Sequence, residues 1–295
     1  MLLRRQPVGQ ATRAHFGLSC DPFSRDLASH EDVFESPDIR YVRESMWTTA
    51  RHGGLLAVVG ESGSGKTTLL DDIEDRIERD SAPVVLVRPD VTGMEASDTR
   101  GRVLRVAHIQ EALIHALTPD APLRQSPEAR ANQLKATLIA ARDAGKSVCL
   151  AFDEAHAMPI PTLKHLKRLL EIKRGFTRLL AIILVGQPEL GIRLSERNPE
   201  VREVVARCEV VTLDPLDDQL AAYLRWKLQP AGRELDALID TAGLDALRAK
   251  LGITAARAQG SRAYPLLVGN LFAACLNQAA LAKAPQITAG VVGSI

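Results

Sequence analysis

Acidic and basic residues nearly cancel in this chain: 37 Lys and Arg stand against 36 Asp and Glu, a formal net charge of +1 over 295 residues. That balance excludes a whole-chain basic footprint, so any nucleic-acid surface has to be a local patch. Long apolar runs are missing as well. The longest is Leu179–Val185, far short of the roughly 18 residues that a membrane span requires. No charged start followed by an apolar core and a small-residue cleavage site is read, so no secretory signal is expected. Cysteine is scarce: Cys20, Cys149, Cys208 and Cys275 are scattered, without a CxxC pair. This argues against a disulfide framework or a zinc site and fits a reducing cytoplasm.

What is present is the composition of a folded protein, 46% hydrophobic and 25% charged, too apolar for a disordered chain. Its length suggests one large domain or two smaller ones. Short β-rich runs alternate with helical stretches, the pattern of a parallel sheet covered by helices. The expected strands are Leu55–Val59, Val84–Arg88, Val148–Phe152, Leu179–Val185 and Cys208–Leu213. Each reads as nearly all apolar, as when both faces of a sheet are buried. One helix is expected from about Glu128 to Ala144, with Ser126 as N-cap, Pro127 at the first position and Gly145 at the stop. Another runs from Pro161 to about Arg174 and ends at Gly175. After Pro215 the β pattern stops and helices broken by Pro and Gly follow. The expected organisation is an N-terminal extension over 1–50, an α/β core over 51–214, and a helical domain with its tail over 215–295.

The strongest motif is Gly60-Glu61-Ser62-Gly63-Ser64-Gly65-Lys66-Thr67, which fits GxxxxGK[ST] and follows the strand Leu55–Val59. Glycines let the backbone curl so that successive N–H groups face phosphates, and the next helix presents its positive end to the same anion. Together with Thr68, these residues are the expected ATP cradle. Lys66 is expected on the β- and γ-phosphates, and the Thr67 hydroxyl on Mg²⁺. A second half-site should end another buried strand, and Val148–Phe152 runs into Asp153-Glu154. Asp153 is expected to hold Mg²⁺ through water, and Glu154 to act as the general base on the attacking water. The sequence Asp153-Glu154-Ala155-His156 spells DEAH, but further helicase motor motifs are not found downstream. Gln187 follows the next strand and is a candidate for orienting water. Arg202 and Arg207 precede the last strand, and either is a candidate arginine finger toward a neighbouring subunit.

Local charge survives the neutral total. Between Pro161 and Leu180 the basic residues Lys164, Lys167, Arg168, Lys173, Arg174 and Arg178 are opposed only by Glu171. Lys164, Lys167 and Arg168 share one helix face by their spacing, suited to running along phosphates without reading sequence. No aromatic interleaving is read there, which argues against single-strand stacking.

The order of phosphate loop, Asp-Glu strand, polar sensor strand, arginine-bearing helix and helical lid resembles the AAA+ ATPases. Phe16-Gly17-Leu18 with Pro22-Phe23, Asp153-Glu154-Ala155-His156 and Leu184-Val185-Gly186-Gln187-Pro188-Glu189-Leu190 resemble the ExeA-type branch. Within it, three segments look closest to the transposition ATPases of Mu-like phages: the run from Phe34-Glu35-Ser36 through the phosphate loop, Leu163–Arg168, and Val201–Cys208 with its two arginines. The resemblance covers roughly residues 15–280. It implies an α/β P-loop AAA+ core with a parallel five-stranded sheet in the order 5-1-4-3-2 and a small C-terminal helical lid. It also implies ATP and Mg²⁺ as ligands, self-association into a ring or helical filament on duplex DNA, and delivery of that DNA to a DDE transposase in a bacterial cytoplasm, without a membrane.

By the same resemblance Arg207 is the preferred finger with Arg202 beside it, Gln187 takes the sensor-1 place, and Phe16–Phe23 lies near the adenine. The loop Thr92–Gly101, with Arg100, Arg102 and Arg105, is where such ATPases place DNA-tracking contacts. One departure stands out. The branch carries a Pro-Arg pair in the lid, whereas this chain has Pro265-Leu266, with Arg262 one turn away as the candidate substitute. The rival readings are an ExeA-like secretion ATPase, which is expected to carry a membrane span and a wall-binding domain beyond the lid, and a nucleotide-gated scaffold with little turnover.

Overall fold

Five apolar runs form one sheet: β1 (Gly54–Gly60), β2 (Val84–Val87), β3 (Ser147–Phe152), β4 (Ala181–Gly186) and β5 (Cys208–Leu213). They pair in the order β2-β3-β4-β1-β5, and every pairing is parallel. This is the expected order 5-1-4-3-2. The computed structural model describes residues 6–24, 29–89, 105–195, 201–253 and 260–295. The chain divides into two compact units, one of residues 37–62 and 66–213, the other of 1–36, 63–65 and 214–295.

In the chain, α1 (Gln10–Phe16) precedes the sheet and belongs to the second unit. The sheet unit carries α2 (Pro37–His52), α3 (Lys66–Arg79), α4 (Val106–Leu117), α5 (Pro127–Asp143), α6 (Ile160–Leu170), α7 (Pro188–Arg193) and α8 (Arg202–Val205). Its core is one contiguous cluster in which Leu55 and Ala57 of β1, Phe152 of β3 and Leu184 of β4 are joined by Leu113, Leu138 and Leu166 from the helices. Parallel strands join only through crossovers, so a helix must return the chain after each strand and bury one face on the sheet. The start of α5 is as the residues dictate: the Ser126 hydroxyl oxygen accepts from the Ala129 N–H at 3.1 Å, with Pro127 at the first position.

Two expectations need correction. The helix beginning near Pro161 stops at Leu170, and Lys173-Arg174 pairs antiparallel with Thr177-Arg178 in a short hairpin. Gly175, expected to end the helix, instead takes φ 62° in the hairpin turn, a conformation that costs glycine nothing. Phe176 beside it is fully exposed, so an aromatic does interleave these basic residues. The second correction concerns β5. It is an edge strand with Glu209, Val210 and Thr212 exposed, because its outer side has no neighbour in the sheet. Only the inner strands are buried along their length.

The second unit contains α9 (Leu220–Leu228), α10 (Leu235–Leu238), α11 (Thr241–Lys250), α12 (Pro265–Leu281) and α13 (Ala289–Gly293) with α1. Its core centres on Phe272 and Leu276 of α12, against Leu220, Leu224, Phe16 and Leu18. The Arg233 guanidinium donates to the Phe16 carbonyl at 2.7 Å, and Phe34 packs on Tyr223 and Trp226. Residues up to 36 thus join this unit, while Pro37–His52 joins the sheet.

Candidate active site

β1 ends in the loop that leads into α3. Gly63 and Gly65 hold φ of 77° and 98° there, so the loop curls in a way side chains would resist. Lys66 is 6% exposed. Its Nζ donates to the Gly60 and Glu61 carbonyls, both at 2.8 Å. Burial pulls the Lys66 pKa below its ordinary value, opposed by the charges of Glu154, Asp153, Glu61 and Glu189. Ser64 is buried and its hydroxyl has no hydrogen-bond partner among the described residues. A buried hydroxyl left so costs about 1–3 kcal/mol, and an anion in the curl of the loop would satisfy it.

The first residue after Lys66 reaches the end of β3. The Thr67 hydroxyl donates to Asp153 Oδ2 at 2.8 Å, and the Glu154 N–H donates to Asp153 Oδ1 at 2.9 Å. Glu154 itself sits at φ 51°, a left-handed conformation that a non-glycine residue adopts at a cost of order 1–3 kcal/mol, characteristic of functional turns. Gln187, just past β4, donates from Nε2 to Glu154 Oε2 at 3.4 Å. His156 Nδ1 lies 3.3 Å from the same carboxylate and accepts from the Gln187 N–H at 3.4 Å. Sequence reasoning set His156 aside with the DEAH spelling. Its place between Glu154 and Gln187 depends on β3 and β4 lying side by side, which the two segments do not announce separately.

The remaining candidates lie elsewhere. Thr68 is half-buried in α3, and Arg202 and Arg207 are exposed. Arg207 lies 3.3 Å from the Glu171 carboxylate, a partner 36 positions away that no local pattern reveals. Lys164 and Arg168 are exposed on α6. Lys167 is bonded to Glu203 and lies 3.7 Å from Glu171, and Arg174 is bonded to Asp143. Lys173 is exposed in the hairpin, and Arg105 is exposed just before α4. Arg100, Arg102 and the Thr92–Gly101 loop lie outside the described residues. In the helical unit Arg262 and Leu266 are both exposed.

Together these groups offer an anion cradle, one neutral and one carboxylate oxygen for a hard cation, and a carboxylate steadied by the Gln187 amide. No cluster of three or more His, Cys, Asp or Glu suited to a metal occurs among the described residues. The Thr67 hydroxyl with the Asp153 carboxylate is a donor set that suits Mg²⁺, which takes one or two protein oxygens and completes its shell with phosphates and water.

Residues 49–194 match the protein family described as AAA domain. General secretion pathway protein A of Aeromonas hydrophila is 28% identical over 227 residues, 74% of this chain and 37% of that protein. The chain thus spans little more than a third of that relative's length. The fold is similar to that of Cdc6p from Pyrobaculum aerophilum, with a TM-score of 0.57 at 16% identity, covering 93% of this chain and 68% of that one. It is also similar to Drosophila ORC bound to DNA, with a TM-score of 0.55 at 12% identity over 99% and 65% of the two chains. At such identities the likeness concerns the fold alone. Among the described residues no helix is long and apolar enough to cross a membrane.

Proposed function

We propose, for a chain that carries an AAA-type ATPase domain in an α/β P-loop AAA+ fold, that the site between β1, β3 and β4 binds ATP and hydrolyses it. The observation that carries this reading is the meeting of Thr67 with Asp153 and of Glu154 with Gln187. Residues Gly60–Thr68 would wrap the phosphates, and Lys66 would leave its two carbonyl partners for the β- and γ-phosphates. The Thr67 hydroxyl and the Asp153 carboxylate would hold Mg²⁺, which supplies charge neutralisation at the phosphates when bound. Glu154 would accept the proton of the attacking water while the Gln187 amide keeps its carboxylate oriented. Arg207, from a neighbouring copy, would stabilise charge on the transferred group.

The same reading extends to duplex DNA: an ATP-dependent assembly, not specific for sequence, that brings target DNA to a DDE transposase. Its support is the sequence resemblance together with the fold shared with DNA-bound ORC. A second reading, a secretion-pathway ATPase, is supported by the secretion relative matched over 74% of the chain. The separating experiment measures ATP turnover and duplex binding for wild type, Lys66→Ala and Glu154→Gln, with ATP and with ADP. ATP-dependent duplex binding that Lys66→Ala abolishes and Glu154→Gln prolongs supports the DNA reading. Turnover without duplex binding in any nucleotide state overturns it in favour of secretion. Binding without turnover in wild type leaves a nucleotide-gated scaffold.

A further inference from the structure

The opposite end of the sheet carries a cleft unconnected with the phosphate loop. It is lined where β1, β3 and β4 begin, by the ends of α2 and α5 and by the hairpin, and its charged lining residues are Arg51, His52, Arg142, Lys146 and Arg178. Among the described residues no Asp or Glu lines it. β1 spans seven residues from this end to the phosphate loop, about 20 Å at the rise of a strand, so these cations do not serve the bound nucleotide.

Two ordinary explanations fall short. Cations at helix C-termini complement the helix dipole, which accounts for Arg51, His52 and Arg142 in the last turns of α2 and α5. Lys146 closes the C-terminus of α5, its N–H bonded to the Ala141 carbonyl at 2.9 Å, so the dipole reaches it too, but Arg178 lies on the hairpin, where no such dipole acts. Solvated surface charge usually comes with carboxylates interspersed, yet none of these five residues has an ion-pair partner among the described residues. By contrast Lys167 and Arg174, from the basic stretch read in the sequence, are already paired with Glu203 and Asp143. Arg178 is also held in place. A Cβ at Gly53 would meet the Arg178 Cβ at 3.2 Å, so that the side chain packs directly over the turn entering β1.

We infer that this cleft is a phosphate-contacting surface for duplex DNA, engaged by Arg51, Arg142, Lys146 and Arg178 as point charges along the backbone. Four exposed cations with no ion-pair partner among the described residues, Arg51 stacking over Trp47 at 5.8 Å, suit a polymer of phosphates on one open face more than an enclosed small ligand. They carry no planar pocket that would read a base, so contact is to the backbone and independent of sequence. Lys173 and the exposed Phe176 continue the face along the hairpin. This inference rests on the DNA reading proposed above and says which surface serves it.

The test is duplex binding by fluorescence anisotropy from 50 to 200 mM salt, for wild type, the pair Arg142→Gln/Lys146→Gln, and the same pair with Arg51→Ala and Arg178→Ala. Affinity for a fluorescent ATP analogue and the melting temperature serve as controls on folding. Each phosphate that is no longer neutralised should make the slope of log K against log salt shallower by roughly 0.9. The pair should therefore show about two such steps, and the quadruple variant should bind at least tenfold more weakly at about 0.1 M salt with nucleotide affinity unchanged. Wild-type slope and affinity in both variants overturn this surface and leave the DNA reading standing. A wild type that binds no duplex in any nucleotide state overturns both. Binding to anionic phospholipid vesicles in place of duplex, abolished in the variants, overturns the inference in favour of a lipid surface.

Discussion

The Arg207 guanidinium lies 3.3 Å from the Glu171 carboxylate of its own chain, and Lys167 lies 3.7 Å from the same carboxylate. An arginine that is to reach a neighbouring copy must leave this partner first. The pair is exposed, so releasing it costs no more than about 1 kcal/mol, which corresponds to at most about fivefold in a population. Glu171→Gln is accordingly expected to raise ATP turnover up to about fivefold at low protein concentration, where assembly limits activity, and to leave turnover unchanged at saturation. Arg207→Ala is expected to lower turnover by about 10³ or more without altering affinity for nucleotide. A titration of turnover against protein concentration checks both. A Glu171→Gln effect of equal size at every concentration would count against the competition.

Helices α2 and α3 are joined by a bidentate pair. Arg43 Nε and Nη2 donate to Asp72 Oδ2 and Oδ1 at 2.8 and 3.1 Å, with both side chains buried. Breaking one half of such a pair takes the bidentate partner from a buried charge, at a cost of about 3–5 kcal/mol. Arg43→Met and Asp72→Asn should each lower the unfolding free energy from urea titration by that order. A double replacement with well-packed apolar residues should recover much of the loss, measured as a double-mutant cycle. Near-additive losses in the double variant would show that the two side chains stabilise the fold independently.

The parts legible in the sequence are those set by neighbours along the chain. The motif Gly60–Thr67 and its flanking strand are local, and Ser126, Pro127 and Gly145 bound α5 as their chemistry requires. The sheet order is not local, and it came from resemblance rather than from the residues. Other features stayed hidden because they depend on which strands become neighbours. His156 meets Gln187 only because β3 pairs with β4, and Val210 is exposed only because β5 is last in the sheet. The hairpin at 173–178 was hidden for another reason: a glycine after a helical pattern reads as a C-cap and as a turn with equal ease.

Burial pushes the thiols of Cys149, Cys208 and Cys275 up to about 12, and the thiolate is the reactive form. Cys149 and Cys275 are buried and Cys20 is half-buried. At pH 8 in native conditions, iodoacetamide should label Cys20 first and leave Cys149 and Cys275 unmodified until the chain unfolds. Mass spectrometry of peptides from native and urea-treated protein reads the difference. Early labelling of Cys149 would mean that β3 is not an inner strand of a stable sheet.

The last expectation concerns the cost of the phosphate-binding lysine to the protein without nucleotide. Burial makes the charged form of Lys66 less favourable in the folded state, and its pKa is lowered although four carboxylates pull the other way. The sign follows from proton counts. Between the lowered folded value and the ordinary unfolded one, the unfolded chain binds more protons, so stability rises with pH. Below both values the penalty is present in full. Lys66→Met, which keeps the buried stem and removes the ammonium, should therefore stabilise the nucleotide-free protein at neutral pH. That advantage should shrink as the pH is raised through the lowered value toward the ordinary lysine range. Urea titrations of both proteins from pH 7 to pH 10, without nucleotide, measure it. The same variant should lose ATP-dependent stabilisation altogether, because the charge that burdens the empty loop is the one the phosphates require. An advantage for Lys66→Met that stays constant across the range would show that its ammonium keeps the same pKa on folding.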